Sequence, residues 1–249
     1  MFGLPIGELL ATLAVVLVIG ALIGSVGIGG LLLAPVLVGI VHMEAREAIA
    51  TSMAAFIATG ALAIWMFSRN RAAVPIRWPL ILATMPGALA GSLVLWALPD
   101  DIAIVALAAF LILTGLRLPL VALPAGGATE TTSLPADLQI GGATGFVSAL
   151  TGTGGPMVLV PLLAWRGAPL MGAIALGQIV QLPISAMATA GNYVAGGVNI
   201  VAGAVIGALL LPGVVVGRMA AERLPLALLT RGLAGILIAA GIWLILRLF

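Results

Sequence analysis

The chain has no cysteine and no lysine, and only 7% of its 249 residues are charged. The absence of cysteine excludes disulfides, thiolate metal sites and a thiol nucleophile. The charged fraction is far below the roughly 25% of a typical soluble domain, whereas 63% of the residues are hydrophobic. Several stretches of about 20 residues carry almost no charge, which is the length that crosses a bilayer. This composition predicts an integral membrane protein with several transmembrane helices.

The few polar residues exclude further classes of function. Ten arginines and eight acidic residues leave a net charge of +2, and they form no basic run that would indicate a nucleic-acid partner. His42 is the only histidine, and no pair of carboxylates falls inside a hydrophobic segment. We therefore predict no catalytic residues, no metal site and no cofactor. The expected partners are the lipid bilayer and a small solute, and the oligomeric state stays open.

Two glycine-rich breaks interrupt the hydrophobic segments and match each other at an offset of 125 residues. The first break is Gly27–Gly30, and the apolar run after it contains Pro35. The second break is Gly152–Gly155, and the apolar run after it contains Pro161. Paired interruptions at matching places in two halves of a membrane protein indicate the binding site of a transporter.

The hydrophobic segments suggest two repeats of the same design. Segments 31–42 and 156–165 are too short to cross a bilayer, so each is expected to form a hairpin with the segment before its break. Residues 121–136 are polar and rich in Gly, Pro and Thr, as in a linker. We predict an all-α integral membrane protein with a first repeat at 1–120 and a second at 137–249, each a broken Gly-rich helical hairpin plus three transmembrane helices. The predicted segments are 6–24, 31–42, 47–68, 78–98, 102–118, 137–150, 156–165, 170–191, 198–217 and 226–247.

The arginines predict that the second repeat is inverted relative to the first. If each hairpin enters and leaves on one side, each repeat has an odd number of crossings, so the second repeat must be inverted. The arginine-containing loops also occur at different positions in the two repeats, as inversion requires. Positive charge marks the cytoplasmic side, which puts the linker inside and both termini outside, with only Arg46 and Arg247 beyond the outer surface. Chance placement over few loops is the alternative. The arginines assigned to the cytoplasm are Arg69, Arg71, Arg77, Arg117, Arg166, Arg218, Arg223 and Arg231.

The two breaks have the chemistry of an anion site. A broken helix exposes unpaired N–H groups at the start of its second half, and the helix dipole attracts anions there. Two such starts facing each other near the membrane midplane would bind a small oxyanion without Arg or Lys, and nearby hydroxyls and amides would add donors. The predicted substrate-binding residues are Ser25, Gly27, Gly29, Gly30, Thr51, Ser52, Thr151, Gly152, Thr153, Gly154, Gly155, Gln178 and Gln181.

Each of these features also has a structural interpretation. Small residues are common in membrane helices because they allow close helix contact. Gln178 and Gln181 are either ligand donors or bonds between helices. Asn192 lies near a predicted outer end, where a solvated loop edge is expected, and Trp96 is expected to anchor a helix at the membrane interface. No carboxylate falls in the middle of a span, which argues against carboxylate-based proton coupling.

The duplicated Gly-x-Gly-Gly breaks, the apolar run with Pro35 or Pro161 after each, and Ala-Thr51-Ser52 after the first hairpin resemble the sulfite exporter TauE/SafE family of membrane permeases. The resemblance covers nearly the whole chain. It implies transport of sulfur-containing anions such as sulfite, sulfoacetate or taurine-related organosulfonates, and it implies export. The second half departs from the pattern at Gly177-Gln178, where a Thr-Ser pair is expected.

We therefore expect a multi-pass protein of the inner (plasma) membrane that exports a small sulfur-containing anion bound near the midplane. The alternatives are an anion channel with the same fold and a permease for another small oxyanion or carboxylate. A site built from helix ends favours negative charge, but it distinguishes among oxyanions only through its size and a few donors.

Overall fold

A computed structural model of the chain describes residues 6–27, 29–69, 76–117, 133–221 and 226–247. Within these ranges all regular structure is helical, with ten α-helices and one 3-10 turn, Gly29–Leu32, before the second helix. The helices are α1 (Ile6–Val26), α2 (Leu33–Gly39), α3 (Ala45–Arg69), α4 (Trp78–Ala97), α5 (Asp100–Arg117), α6 (Leu134–Thr151), α7 (Pro156–Trp165), α8 (Leu170–Val194), α9 (Ile200–Ala221) and α10 (Leu226–Leu246). We refer to α1–α5 as the first half and to α6–α10 as the second half.

Four of these helices, α3, α4, α8 and α9, are long and apolar enough to cross a membrane. This confirms the all-helical membrane class predicted from composition. α2 and α7 have 7 and 10 residues, or about 10 and 15 Å at 1.5 Å per residue, so neither crosses a hydrocarbon core of about 30 Å. The two segments predicted to be half-helices are therefore helices that follow the breaks and are too short to span the membrane.

The predicted segment bounds shift by a few residues. α6 begins at Leu134, so the last three residues of the predicted linker belong to a helix, and 121–132 lies outside the described residues. α8 continues to Val194, three residues past its predicted end. Arg71 and Arg223 also lie outside the described residues.

Helices of the two halves pack directly on each other. α1 packs along α9, α6 packs along α4, α3 crosses α8, and α5 packs against α10. Gly87 and Gly91 of α4 lie against Gly142 and Phe146 of α6, so these two helices run in the same direction. The first helix of each half thus packs on the fourth helix of the other, and the apolar core lies between the halves.

Glycines bring these helices into backbone contact, and the same contacts occur in both halves. A Cβ at Gly20 of α1 would meet the Leu210 carbonyl of α9, and one at Gly145 of α6 would meet the Thr84 carbonyl of α4. Gly145 lies 125 residues after Gly20, and Thr84 lies 126 residues before Leu210. The two contacts are therefore equivalent. Small residues at such positions let membrane helices approach closely.

Contacts at the helix termini define two ends of the bundle. At one, the Arg46 end, Arg46 Nε lies 3.3 Å from Asp100 Oδ1, and Arg247 donates to the Val38 carbonyl at 3.0 Å. These bonds join the starts of α3 and α5 and the ends of α2 and α10. At the other, the Arg77 end, Arg77 pairs with Asp137, which joins the starts of α4 and α6.

Most of the described arginines lie at the Arg77 end. Arg117 lies 5.4 Å from the Trp165 ring centroid, and Arg218 lies 5.5 Å from that of Phe67, so the ends of α5 and α7 and those of α3 and α9 meet there. Arg46 and Arg247 occupy the opposite end. The described arginines on helices that end or begin at the Arg77 end, or one residue beyond them, are Arg69, Arg77, Arg117, Arg166, Arg218 and Arg231.

Backbone contact through glycine predicts a large stability difference between two Gly→Ala variants. In Gly24→Ala the new Cβ would overlap the backbone of Val214 in α9, so we expect a loss of about 1–3 kcal/mol from overpacking. In Gly235→Ala the new Cβ has no neighbour within 4 Å, and helix propensity adds up to about 1 kcal/mol. Thermal unfolding in detergent measures both, and equal melting temperatures would contradict the glycine contact.

Candidate anion-binding site

The first break is a tight reversal of the chain after α1. Gly27 has a φ of +76°, a left-handed conformation that glycine adopts without strain, and its N–H donates to the Ile23 carbonyl at 2.9 Å. The chain resumes with the 3-10 turn at Gly29, which packs against Leu22 and the Ile19 carbonyl of α1. The 3-10 turn and α2 therefore return along α1, as the predicted hairpin requires.

The second break is built almost entirely from left-handed glycines. α6 ends at Thr151 and is followed by Gly152, whose φ is +69°, and the N–H of Thr153 donates back to the Ser148 carbonyl at 3.1 Å. Gly154 and Gly155 follow with φ of +77° and +112°. Among the glycines of the first break, only Gly27 has a positive φ. The two breaks therefore share a sequence pattern but differ in backbone conformation.

α7 starts immediately after the second break without a side-chain cap. Its first residue is Pro156, which has no N–H to leave unpaired. The N–H of Val158 donates to the Gly155 carbonyl at 3.1 Å. The N–H of Leu159 donates to the same carbonyl at 3.0 Å. Of the first-turn N–H groups this leaves that of Met157 without a partner within the helix, at the positive end of the helix dipole.

Phe56 of α3 brings the two breaks together. A Cβ at Gly30 would lie 3.0 Å from its Cζ, and one at Gly154 would lie 3.1 Å from its Cδ2. The ring is fully buried, so it separates the two breaks by one aromatic side chain. Phe56 was not among the site residues predicted from the sequence. The one feature that could have indicated it is its size, since it is a large residue in the alanine-rich middle of a span.

Two amides of α8 each reach one break and form a bond with the first half. Gln178 Nε2 lies beside Gly27 and donates to the Ile23 carbonyl at 3.3 Å. Gln181 Nε2 lies beside Gly154 and donates to Thr59 Oγ1 at 2.9 Å. Both therefore act as bonds between helices, one of the two predicted roles. Gln181 Oε1 is buried without a hydrogen-bond partner, which leaves an acceptor at the second break.

Among the predicted site residues with hydroxyl groups, two form short hydrogen bonds to their own helices and two have longer contacts. Ser52 donates to the Ala48 carbonyl at 2.7 Å and Thr151 to the Val147 carbonyl at 2.7 Å, so both bond to their own helices. Ser25 makes a longer bond of the same type, 3.4 Å to Leu22, and Thr153 Oγ1 lies 3.4 Å from that of Thr151.

Helical spacing separates Thr51 from its neighbour Ser52. Ser52 shares a face of α3 with Ile49, which contacts Gly152, and with Phe56. The Thr51 carbonyl instead lies 3.2 Å from the position of a Cβ at Gly203 in α9, and its hydroxyl is buried without a partner. The structure thus brings Ser52 to the breaks and directs Thr51 toward α9.

A buried ion pair and a buried amide at the helix termini were not predicted. Arg77 Nε lies 3.2 Å from Asp137 Oδ2, and both side chains are less than a tenth exposed. At the Arg46 end, Asn192 Oδ1 accepts from Trp96 Nε1 at 2.9 Å, and Arg46 lies 5.3 Å from the Trp96 ring centroid. Asn192 is fully buried, so its expected place on a solvated loop edge is wrong, because α8 extends past it.

Comparison with known proteins yields one family. The family model described as sulfite exporter TauE/SafE matches residues 12–244. No curated protein and no solved structure matches the chain. Since the match spans nearly the whole chain, from α1 to α10, it includes both glycine breaks and every helix around them. The chain therefore belongs to the sulfite exporter TauE/SafE family, a family of membrane transporters of sulfur-containing anions.

Proposed function

We propose that this protein exports sulfite or a small organosulfonate, such as sulfoacetate or a taurine-related product, across the plasma membrane. The anion binds near the middle of the bundle, between the two glycine breaks. The observation that carries this proposal is the contact of Gly30 and Gly154 with the same Phe56 ring. A single ligand of a few atoms would reach both breaks if that ring moved aside.

The chemistry at this position suits an oxyanion. The start of α7 supplies the Met157 N–H and the positive end of a helix dipole, equivalent to roughly half a charge, and the 3-10 turn at Gly29 supplies a second helical start. Glycine allows a ligand to approach the backbone, and the edge of an aromatic ring is electropositive. Gln178 and Gln181 are the side-chain donors at the two breaks.

The two halves are proposed to be inverted-topology repeats. Three facts support this: the glycine contacts that recur at an offset of 125 to 126 residues, the packing of each first helix on the other half's fourth helix, and the return of each hairpin to its own end. Inversion makes the two breaks approach the midplane from opposite sides. Opposed helix starts of this kind are how several transporters bind ions at the midplane.

The burial of both breaks favours a carrier. Gly29, Gly30 and the whole of Gly152–Gly155 are buried, so the proposed site is closed in this conformation and would open by movement of the helices around it. An anion channel, or a permease for another small oxyanion or carboxylate, is the second candidate, because helix starts bind any small anion. Turnover far above carrier rates would favour the channel.

The arginines support an orientation with the Arg77 end in the cytoplasm. Positive charge accumulates on the cytoplasmic side of membrane proteins, and six described arginines belong to that end. Both termini and the Arg46 end would then face outward, and the linker would be cytoplasmic. An inside-negative potential favours outward movement of an anion by about 2.3 kcal/mol per charge per 100 mV.

Substitution of Gly30 tests the site without straining the backbone. In Gly30→Ala the new Cβ lies 3.0 Å from the Phe56 ring, which forces the ring toward the second break. We expect efflux of radiolabelled sulfite from proteoliposomes to fall about tenfold, or about 1.4 kcal/mol, within the range of overpacking strain. Adding Phe56→Leu to Gly30→Ala should restore part of the flux, because leucine is shorter.

The matched control is Gly172→Ala in α8, where a Cβ has no neighbour within 4 Å. This variant should transport sulfite at the wild-type rate. If Gly30→Ala and Gly172→Ala transport equally well, the breaks are not the site. Sulfoacetate efflux from the same vesicles shows which sulfur-containing anion is preferred.

Reporter fusions test the proposed orientation. In a bacterial host, alkaline phosphatase fused to the C-terminus should be active and a green fluorescent protein fused there should be dark, because the C-terminus lies outside the cytoplasm. The same reporters inserted in 121–132 should give the reverse pattern. A fluorescent C-terminal fusion would overturn the orientation, while the proposed binding site would be unaffected.

A further inference from the structure

The second half contains buried polar atoms that bond to nothing. Within the described residues, seven buried side-chain atoms lack a hydrogen-bond partner, and only Thr51 Oγ1 belongs to the first half. Serine and threonine in membrane helices ordinarily bond to a neighbouring helix or to their own backbone. The four hydroxyls among the six atoms of the second half do neither, and Gln181 and Asn192 each use only one of their two amide atoms in a bond to another helix. Helix packing therefore does not account for all of this polarity. The six atoms are Thr144 Oγ1, Ser148 Oγ, Gln181 Oε1, Ser185 Oγ, Thr189 Oγ1 and Asn192 Nδ2.

On α6 the polar side chains form one stripe that leads to the second break. Asp137, Thr144, Ser148 and Thr151 follow one another at spacings of seven, four and three residues, which places them on one face of the helix. All four are buried. At 1.5 Å per residue the stripe is about 21 Å long, from the Arg77–Asp137 ion pair to the start of the break.

On α8 a second stripe leads from that break to the opposite end of the bundle. Gln181, Ser185, Thr189 and Asn192 are spaced by four, four and three residues and share a face. Gln181 lies beside Gly154, and Asn192 bonds to Trp96 at the Arg46 end. This stripe is about 16 Å long.

The two stripes together are long enough to cross the membrane. Their combined length of about 37 Å exceeds the roughly 30 Å of a hydrocarbon core. α4 packs on both α6 and α8, with Arg77 at one end of its length and Trp96 at the other. We call the eight side chains Asp137, Thr144, Ser148, Thr151, Gln181, Ser185, Thr189 and Asn192 the polar track.

The corresponding positions in the first half are mostly apolar. The offset is 125 residues for α6 and 126 for α8, and at these offsets Thr144 and Ser148 correspond to Ile19 and Ile23, which are buried in the core. Because the glycine contacts of the two halves match at these offsets, a packing requirement would have the same residue types in both. The polar track is therefore a property of the second half alone. The eight counterparts are Thr12, Ile19, Ile23, Val26, Ala55, Thr59, Ala63 and Met66.

We propose that the anion crosses the protein along the polar track, from the Arg77–Asp137 ion pair through the second break to Asn192 and Trp96. Hydroxyls and amides replace part of the hydration shell of the anion along the way, and water occupies the track when the anion is absent. The identity of the anion rests on the proposed function, whereas the course of the track does not. The Arg77–Asp137 bond and the Trp96–Asn192 bond close its two ends in this conformation.

Single cysteines test the track directly, because the chain has none of its own. Ser148→Cys and Ser185→Cys, which are nearly isosteric, would be treated in proteoliposomes with 2-sulfonatoethyl methanethiosulfonate, a small anionic thiol reagent. We expect both to react at least tenfold faster than Ala149→Cys of α6 and Ala173→Cys of α8, which are buried positions off the track. Sulfoacetate should slow the reaction at the track positions only.

A first-half control tests whether the track is confined to the second half. Ile23→Cys, the counterpart of Ser148→Cys, should react as slowly as Ala149→Cys. Equal reactivity of Ile23→Cys and Ser148→Cys would overturn the proposal, and so would slow labelling of both track positions in variants that still transport sulfite. Fast labelling in a protein that moves neither sulfite nor sulfoacetate would support the track and refute the proposed function.

Discussion

The structure depends on one constraint: backbone polar groups inside a membrane must be shielded from lipid. The two glycine breaks interrupt the helical hydrogen bonding inside the apolar core, and both breaks are buried. The shield consists of α3 and α8, which cross beside the breaks, and of the helix pairs α1–α9 and α4–α6 around them. Glycine contacts bring those pairs into backbone contact, so the shield is continuous where the backbone is most polar.

The two halves have matching glycine contacts but differ in polarity. The recurrence of the glycine contacts at a constant offset indicates that helix packing is common to both halves. Polar side chains are distributed unequally, since six of the seven unpartnered buried atoms among the described residues belong to the second half. A shared scaffold with one polar half suggests that packing and conduction are separate requirements on the sequence. The departure at Gly177-Gln178 belongs to this difference, because Gln178 reaches across to the first break.

The sequence predicted what depends on local pattern. Glycine breaks, short half-helices and the apolar spans α3, α4, α8 and α9 are visible in the order of residue types, and they are found where expected to within a few residues. The third predicted span of each half, α5 or α10, is not among the helices of the described residues that are long and apolar enough to cross a membrane. Phe56, the Arg77–Asp137 pair and the burial of Asn192 depend on which helices meet, which a single sequence does not specify. Asn192 was misplaced because the apolar pattern fades before α8 ends. Thr51 and Ser52 are adjacent in sequence, yet helical geometry places them on different sides of α3.

The central claim, an anion held between the two breaks, is tested most directly by thermal stabilisation of the detergent-purified protein across a panel of anions. The panel contains sulfite, sulfate, thiosulfate, sulfoacetate, taurine, acetate and phosphate. A ligand at 100 times its dissociation constant stabilises the folded state by about 2.7 kcal/mol. We predict such a shift for sulfite or a sulfonate in the wild type and in Gly172→Ala, and its reduction to about 1.4 kcal/mol in Gly30→Ala, as a tenfold weaker affinity gives. An equal shift in all three proteins would contradict a site at the glycine breaks.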